Sequence, residues 1–266
     1  MQIDTDAVDV SQTTVIRLQH MLKKIDRVCL PPSSRRDLES ILVLQVAHEL
    51  DRLLPWQAGH GEGTAAVALQ IGQAVHLTDE ELHQLKLASL LHDIGILMLP
   101  LDLQTQREWL ESDSYVAMQN HPRLGAMLLE PFSFLHEATV MIAHHHERWD
   151  GSGYPYGLRG EFIPLGARIL AVADAFDAIQ VPHVQDHSLR DRIALRILRV
   201  ASGTQFDPTV VNLLVNLFQG TAAVRMTATH DRAHSRRPPY AGFKVGGPPL
   251  PLDRQGSSPP EDPCRP

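Results

Sequence analysis

Residues 78–95 read TDEELHQLKLASLLHDIG, and the order of residue types predicts a helix with a reactive end. Thr78 suits an N-cap, and Asp79, Glu80 and Glu81 set negative charge in the first turn, where the helix dipole favours it. Leu82, Leu85, Ala88, Leu90 and Leu91 follow at helical spacing. The helix runs into His92-Asp93 and is expected to end at Gly95. An ionisable pair at the end of so apolar a helix is costly unless a partner satisfies it.

The same period recurs on both sides. Leu38, Ile41, Leu42, Val46 and Leu50 share one face until Pro55 interrupts, and Ala65, Val67, Ala68, Ile71 and Val75 fit a helix over 63–75. Further helices are predicted at 112–120, 122–129, 134–147, 165–180, 188–202 and 208–218, the last after the break Phe206-Asp207-Pro208. Alternating apolar and polar strands are scarce. The expected class is all-α, a helical bundle with a site between helices.

Composition narrows the function. The 266 residues are 43% hydrophobic and 21% charged, enough apolar matter for a packed core. A net charge of −7 argues against a general nucleic-acid binder, which needs basic surface to displace counterions from phosphates. No apolar run approaches bilayer length, and the acidic start MQIDTDAVDV does not read as a signal peptide. Cys29 and Cys264 make no disulfide framework, so the expected setting is the reducing cytoplasm. Nine of the 19 prolines lie between Pro238 and Pro266, so residues 221–266 are read as a disordered Pro-rich tail. Residues 1–34 carry no sensor signature and are read as a helical extension that packs on the main domain, residues 35–220, or on a second copy in a homodimer.

The unusual count is histidine, 15 in all. His144-His145-His146-Glu147 runs straight into Arg148-Trp149-Asp150-Gly151-Ser152-Gly153-Tyr154-Pro155. Adjacent histidines on a helix point about 100° apart, so two can flank one metal only near a helix end or with help from other helices. His121 precedes Pro122 near a helix start. Asp174 lies in an apolar run and shares a face with Asp177, three residues on. His20, His48, His76, His83 and His136 read as surface or satisfied core residues. His183, His187, His230 and His234 stand in polar context and are assigned no chemistry. His92-Asp93, His121, His145-His146 and Asp174 together suit manganese or iron, with imidazole and carboxylate ligands and no thiolate. There is no P-loop, GxSxG elbow or CxxC.

These residues resemble the HD-GYP family, a branch of the HD phosphohydrolases. The likeness rests on HHERWDGSGYP (145–155) and LLHDIG (90–95), with Gly59-His60, His121-Pro122 with Gly125, GLRGEFIP (157–164), AVADAFDA (171–178) and FDP (206–208) in the family's order. It implies a helical fold and a phosphodiesterase that hydrolyses cyclic di-GMP to pGpG, GMP or both, in bacterial signalling. It implies two divalent ions, iron or manganese. His60, His92 and Asp174 are then expected on one, and His121, His145 and His146 on the other. Asp93 would bridge them, with His92 and Asp93 at the catalytic centre. Two metals acidify a water and neutralise the phosphodiester. Gly153, Tyr154, Pro155 and Arg148 are expected to line the nucleotide pocket, and Asp177 to support a ligand from behind.

Three departures stand against that pattern. Ile96 occupies the position of the family's usual lysine. His183-Val184-Gln185 stands where a basic RPY-like stretch is usual. Trp56 stands where some members place a glutamate for a third metal, hence the expectation of two. The ligands are intact while the phosphate-holding cations are eroded, although Arg148 and Arg168 could compensate. A second reading is therefore a weakened module that binds metal, nucleotide or a partner such as a diguanylate cyclase (GGDEF) protein. If erosion at this position is what weakens it, Ile96→Lys should rescue activity. A third reading keeps the chemistry and changes the substrate to another cyclic dinucleotide or a nucleotide monophosphate.

Overall fold

The computed structural model describes residues 5–26, 30–105, 112–179 and 186–224. The His183-Val184-Gln185 stretch and the Pro-rich segment from residue 225 onward lie outside the described residues. Eleven α-helices are found among those described: α1 (Thr5–Asp26), α2 (Pro32–Leu53), α3 (His60–Ala74), α4 (Asp79–Leu91), α5 (Leu101–Thr105), α6 (Ser112–Met118), α7 (His121–Leu129), α8 (His136–His144), α9 (Leu165–Ala178), α10 (His187–Ala201) and α11 (Pro208–Val224). Four short 3₁₀ turns join them, and no strand is present among the described residues. The all-α expectation holds.

The pivot is α4. Thr78 caps it in a reciprocal box: the Glu81 N–H donates to Thr78 Oγ1, and the Thr78 N–H donates to Glu81 Oε2 at 2.8 Å. Beyond the first turn the helix is buried on nearly every side, because α2, α3, α8 and α9 all pack on it. Leu85, Leu87, Ala88 and Leu91 are fully enclosed. Such a helix shows no polar face, and it needs few: Ser89 returns its hydroxyl to Leu85 O, and Gln84 bonds Phe134 O and the Ala138 N–H.

Helix α4 ends at Leu91, earlier than Gly95. Gly95 serves a close approach instead. A Cβ there would lie 2.0 Å from His121 O and 2.5 Å from Gly125 N, so glycine lets the turn Ile94–Met98 touch α7. The backbone that follows His92-Asp93 is thereby pressed against the helix that begins with His121. Likewise the helix expected over 134–147 is shorter. Ser133–Leu135 is a 3₁₀ turn, α8 spans His136–His144, and His145 and His146 follow the helix end.

The N-terminal segment is built into the core. Leu18, Leu22 and Ile25 of α1 are at most 1% exposed and belong to the same apolar cluster as Val43, Ile71 and Leu91. Helix α1 packs on α2, α5 and the Ile94–Met98 turn. The extension expected over 1–34 thus includes α1 and the first residues of α2. Leu22→Ala should lower the unfolding free energy by about 2–5 kcal/mol in one cooperative transition. Chemical denaturation checks this; an unchanged midpoint would contradict the packing.

Candidate metal centre

Three histidines stand at or just past helix ends, and each caps a carbonyl three residues back. His92 Nδ1 donates to Ser89 O at 2.9 Å, His121 Nδ1 to Met118 O at 2.8 Å, and His145 Nδ1 to Ile142 O at 2.7 Å. The last carbonyls of a helix lack partners, so the bond satisfies backbone and side chain together. It also fixes the tautomer of the neutral ring: with Nδ1 carrying the proton, each neutral imidazole presents an Nε2 lone pair. His121 Nε2 and His145 Nε2 then face each other at 3.4 Å, two acceptors in contact. His92 Nε2 is buried without a hydrogen-bond partner, 3.2 Å from Asp93 Oδ2 and 3.8 Å from Asp174 Oδ1. Converging acceptors of this kind call for a cation among them.

His60 arrives from the other direction. It opens α3 after Gly59, whose N–H donates to Asp51 Oδ2. Its Nδ1 lies 2.7 Å from Asp177 Oδ2, and its Nε2 lies 2.9 Å from Asp174 Oδ1. Asp174 and Asp177 sit one turn apart on α9, as their spacing predicts.

Two groups of ligand atoms result: His60, His92 and Asp93, and His121, His145 and His146. Asp93 joins them. Its Oδ2 faces His92 and its Oδ1 lies 3.1 Å from His121 Nε2. All seven residues expected as ligands come together between α3, α4, α7, α8 and α9, with Asp174 beside His60. The donor set, imidazole and carboxylate without thiolate, suits a hard or borderline divalent ion.

The electrostatics of these side chains divide the centre. Burial works against a charge on His60, but the hydrogen bonds to Asp174 and Asp177 outweigh it and push its pKa up to about 10. Burial is likewise outweighed at His92, which Asp93 and Asp174 raise. Burial is overcome at Asp93, which His92 and His121 hold well below the usual carboxylate range. Across the site the sign reverses. Burial and then His146 and His121 lower His145, while burial and then His121 bring His146 to about 4. So the His145-His146 side offers neutral imidazoles, whereas the His60 side must shed protons before a metal binds.

The segment 148–155 is held from behind. Gly153 lies so close to the 146–148 backbone that a Cβ would sit 2.3 Å from Arg148 N, so only glycine fits. Glu147, its side chain fully buried, accepts the N–H groups of Tyr156 at 2.8 Å and Leu158 at 2.9 Å. Trp149 and Asp150 donate backbone N–H groups to Gln205 O and Thr204 O. Arg168 lies over the Trp149 ring and pairs with Asp207 at 2.6 Å. Tyr154 stacks beside His146 with centroids 5.0 Å apart. Pro155 follows Tyr154 in that turn.

Arg148 bonds Asp150 and Ser152 within the same loop. Both arginines that could replace the missing cations are therefore engaged inside the protein. Ile96 is 1% exposed and belongs to the apolar core.

Two residues of the site were not anticipated. Gln57, buried in the turn Pro55–Gln57, donates its amide to Asp93 Oδ2. It lines a cavity with Asp51, His60, Glu62, His92 and Asp93. Nothing local in the sequence marks it. Glu147 was visible beside the histidines, but its task of holding the following loop depends on a fold-back that spacing alone does not show. His83, read as surface or satisfied core, is the latter, bonded to buried Glu39 at 2.8 Å.

The comparisons agree with this geometry. A family model described as the HD domain matches residues 42–210, and the chain belongs to that family, in its HD-GYP type. It is 35% identical over 179 residues to the cyclic di-GMP phosphodiesterase response regulator RpfG of Xanthomonas campestris, covering 66% of this chain and 47% of that protein. It is 29% identical over 192 residues to a 3′3′-cGAMP-specific phosphodiesterase of Vibrio cholerae, covering 71% of this chain and 37% of the relative. The chain thus spans half or less of the length of these relatives. Among solved structures, a cyclic GMP-AMP-specific phosphodiesterase of Vibrio cholerae superposes with a TM-score of 0.57 at 24% identity, over 71% of this chain and 51% of that one, a likeness of fold. No helix among the described residues is long and apolar enough to cross a membrane.

Two tests follow. Metal uptake should release protons and tighten as pH rises toward about 10, because His60 must lose its proton. Calorimetry in buffers of different ionisation enthalpy reads this directly; uptake without proton release would contradict a protonated His60. Ile96→Lys should destabilise the fold by about 3 kcal/mol or more, since it places an unpaired ammonium in the core. That reverses the gain expected from sequence; denaturation at wild-type stability would overturn it.

Proposed function

We propose that the chain is a metal-dependent phosphodiesterase that opens cyclic di-GMP to pGpG, GMP or both. The observation that carries this reading is the single carboxylate of Asp93 between two groups of imidazole lone pairs. His60, His92 and Asp174 would hold one divalent ion, His121, His145 and His146 a second, and Asp93 both; iron or manganese suits the donors. When bound, such ions neutralise a phosphodiester and supply a nucleophilic water at neutral pH. The chain's own contribution is orientation. The Ser89, Met118 and Ile142 carbonyls aim three imidazoles, Asp177 aims His60, and Gln57 holds one oxygen of Asp93. The segment held by Glu147 sets Gly153, Tyr154 and Pro155 beside His146, where the nucleotide would lie. Relatives named for 3′3′-cGAMP favour that dinucleotide as the alternative substrate.

The alternative is a slow or inactive module that binds metal, nucleotide or a partner such as a diguanylate cyclase. Anaerobic turnover of cyclic di-GMP by protein loaded with iron(II) or manganese(II), followed by chromatography, separates the two. The enzyme reading expects product that Asp93→Ala abolishes. Folded, metal-replete protein that yields none would leave the binding module.

A further inference from the structure

Gln57 is 6% exposed, and its side-chain amide donates to Asp93 Oδ2. A carboxylate only accepts, so the group turned toward it is the NH₂. This donor is placed by contacts that involve no ligand side chain. Within the turn Pro55–Gln57, the Gln57 N–H donates to Leu54 O at 2.8 Å. The neighbouring Trp56 is buried and donates its indole N–H to Gln104 O at 3.0 Å. The Gln104 amide in turn donates to Leu99 O at 2.7 Å and Leu97 O at 3.3 Å, at the far end of the turn that follows Asp93. One glutamine thus braces the turn that carries Gln57 against the turn that leaves Asp93.

The two halves of the centre depend on Asp93 unequally. His121, His145 and His146 converge as three imidazoles without it, whereas His60 and His92 converge with Asp93 as the third member. The oxygen that Gln57 holds, Oδ2, is the one that faces His92 at 3.2 Å. The torsion that turns a carboxylate is broad, so an Asp93 deprived of this donor is free to swing Oδ2 away from His92.

We propose that Gln57 is a positioning residue that governs whether the His60 half of the centre fills: its amide holds Asp93 Oδ2 toward His92, where a divalent ion takes that oxygen as a ligand. This rests on the two-ion centre of the proposed function and deepens it, and it asks nothing of the phosphodiesterase chemistry. Partners that orient a ligand in this way are worth about ten-fold to a hundred-fold in metal affinity. Because the other half has three imidazoles of its own, the effect of Gln57 falls on one ion of the two.

Manganese(II) binding to wild type, Gln57→Met and His60→Ala, without nucleotide, should be followed by calorimetric titration and by electron paramagnetic resonance. Methionine keeps the length of the side chain and removes the donor. Gln57→Met should weaken one ion by about ten-fold to a hundred-fold and leave the other within about two-fold. At manganese concentrations that fill only the tighter site, its spectrum should match that of His60→Ala, a single uncoupled ion. Two affinities equal to wild type overturn the proposal. So does a loss shared evenly by both ions, which is what a general loosening of the bundle produces. If Gln57→Met does not fold, Gln57→Asn takes its place. It keeps the amide but draws it back by one methylene, so it should show the same selective loss, and wild-type binding by it overturns the proposal. Turnover is read separately. A wild type that binds both ions and cleaves no cyclic di-GMP sinks the phosphodiesterase reading and leaves this one to the affinities, whereas a wild type that binds a single ion overturns it.

Discussion

The carboxylate of Asp93 lies inside a helical bundle with imidazole nitrogens facing both of its oxygens, His92 on one side and His121 on the other. Burying an ion is expensive unless opposite charge and hydrogen bonds accompany it. The surrounding structure can be read as the means of supplying both. Helix α4 is enclosed by four others, so its end is the deepest point at which a charged pair could emerge. The glycine contact between residues 95 and 125 presses the following turn against α7 and brings His121 to the second oxygen. Displacing Asp93 would leave six converging ligand side chains without a centre.

Helix ends give the site its order. The bond from Nδ1 to a carbonyl three residues back occurs three times, and each time it spends a group the helix could not satisfy internally. The result is a set of lone pairs aimed by backbone, which is stiffer than side chains aimed by one another. His60 is the exception, held by two carboxylates of α9, which push its pKa up to about 10. The two halves of the centre therefore meet a metal from different protonation states, although they are built from the same residue types.

Much of this was legible in the sequence because it is local or carried by ordered motifs. Thr78 and its acidic followers marked the start of α4, and the spacing of Asp174 and Asp177 placed both on one face. The separate motifs that resemble the HD-GYP family named all seven ligand candidates, and the fold gathers them. What spacing could not show was long-range. The true end of α4 depends on a contact with α7, and the choice between the two packings expected for the N-terminal helix depends on residues distant in sequence, against which Leu18, Leu22 and Ile25 are buried. Ile96 was legible as a missing charge. That its side chain belongs to the core, and that Arg148 and Arg168 are engaged elsewhere, required coordinates.

The central proposal is that Asp93 would hold two ions at once. Electron paramagnetic resonance of protein loaded with manganese(II), alongside metal analysis, tests it most directly. The account predicts two ions per chain with spins coupled through the shared ligand, and a loss of that coupling in Asp93→Asn. A single ion per chain, or two that behave independently in the wild-type protein, would contradict it.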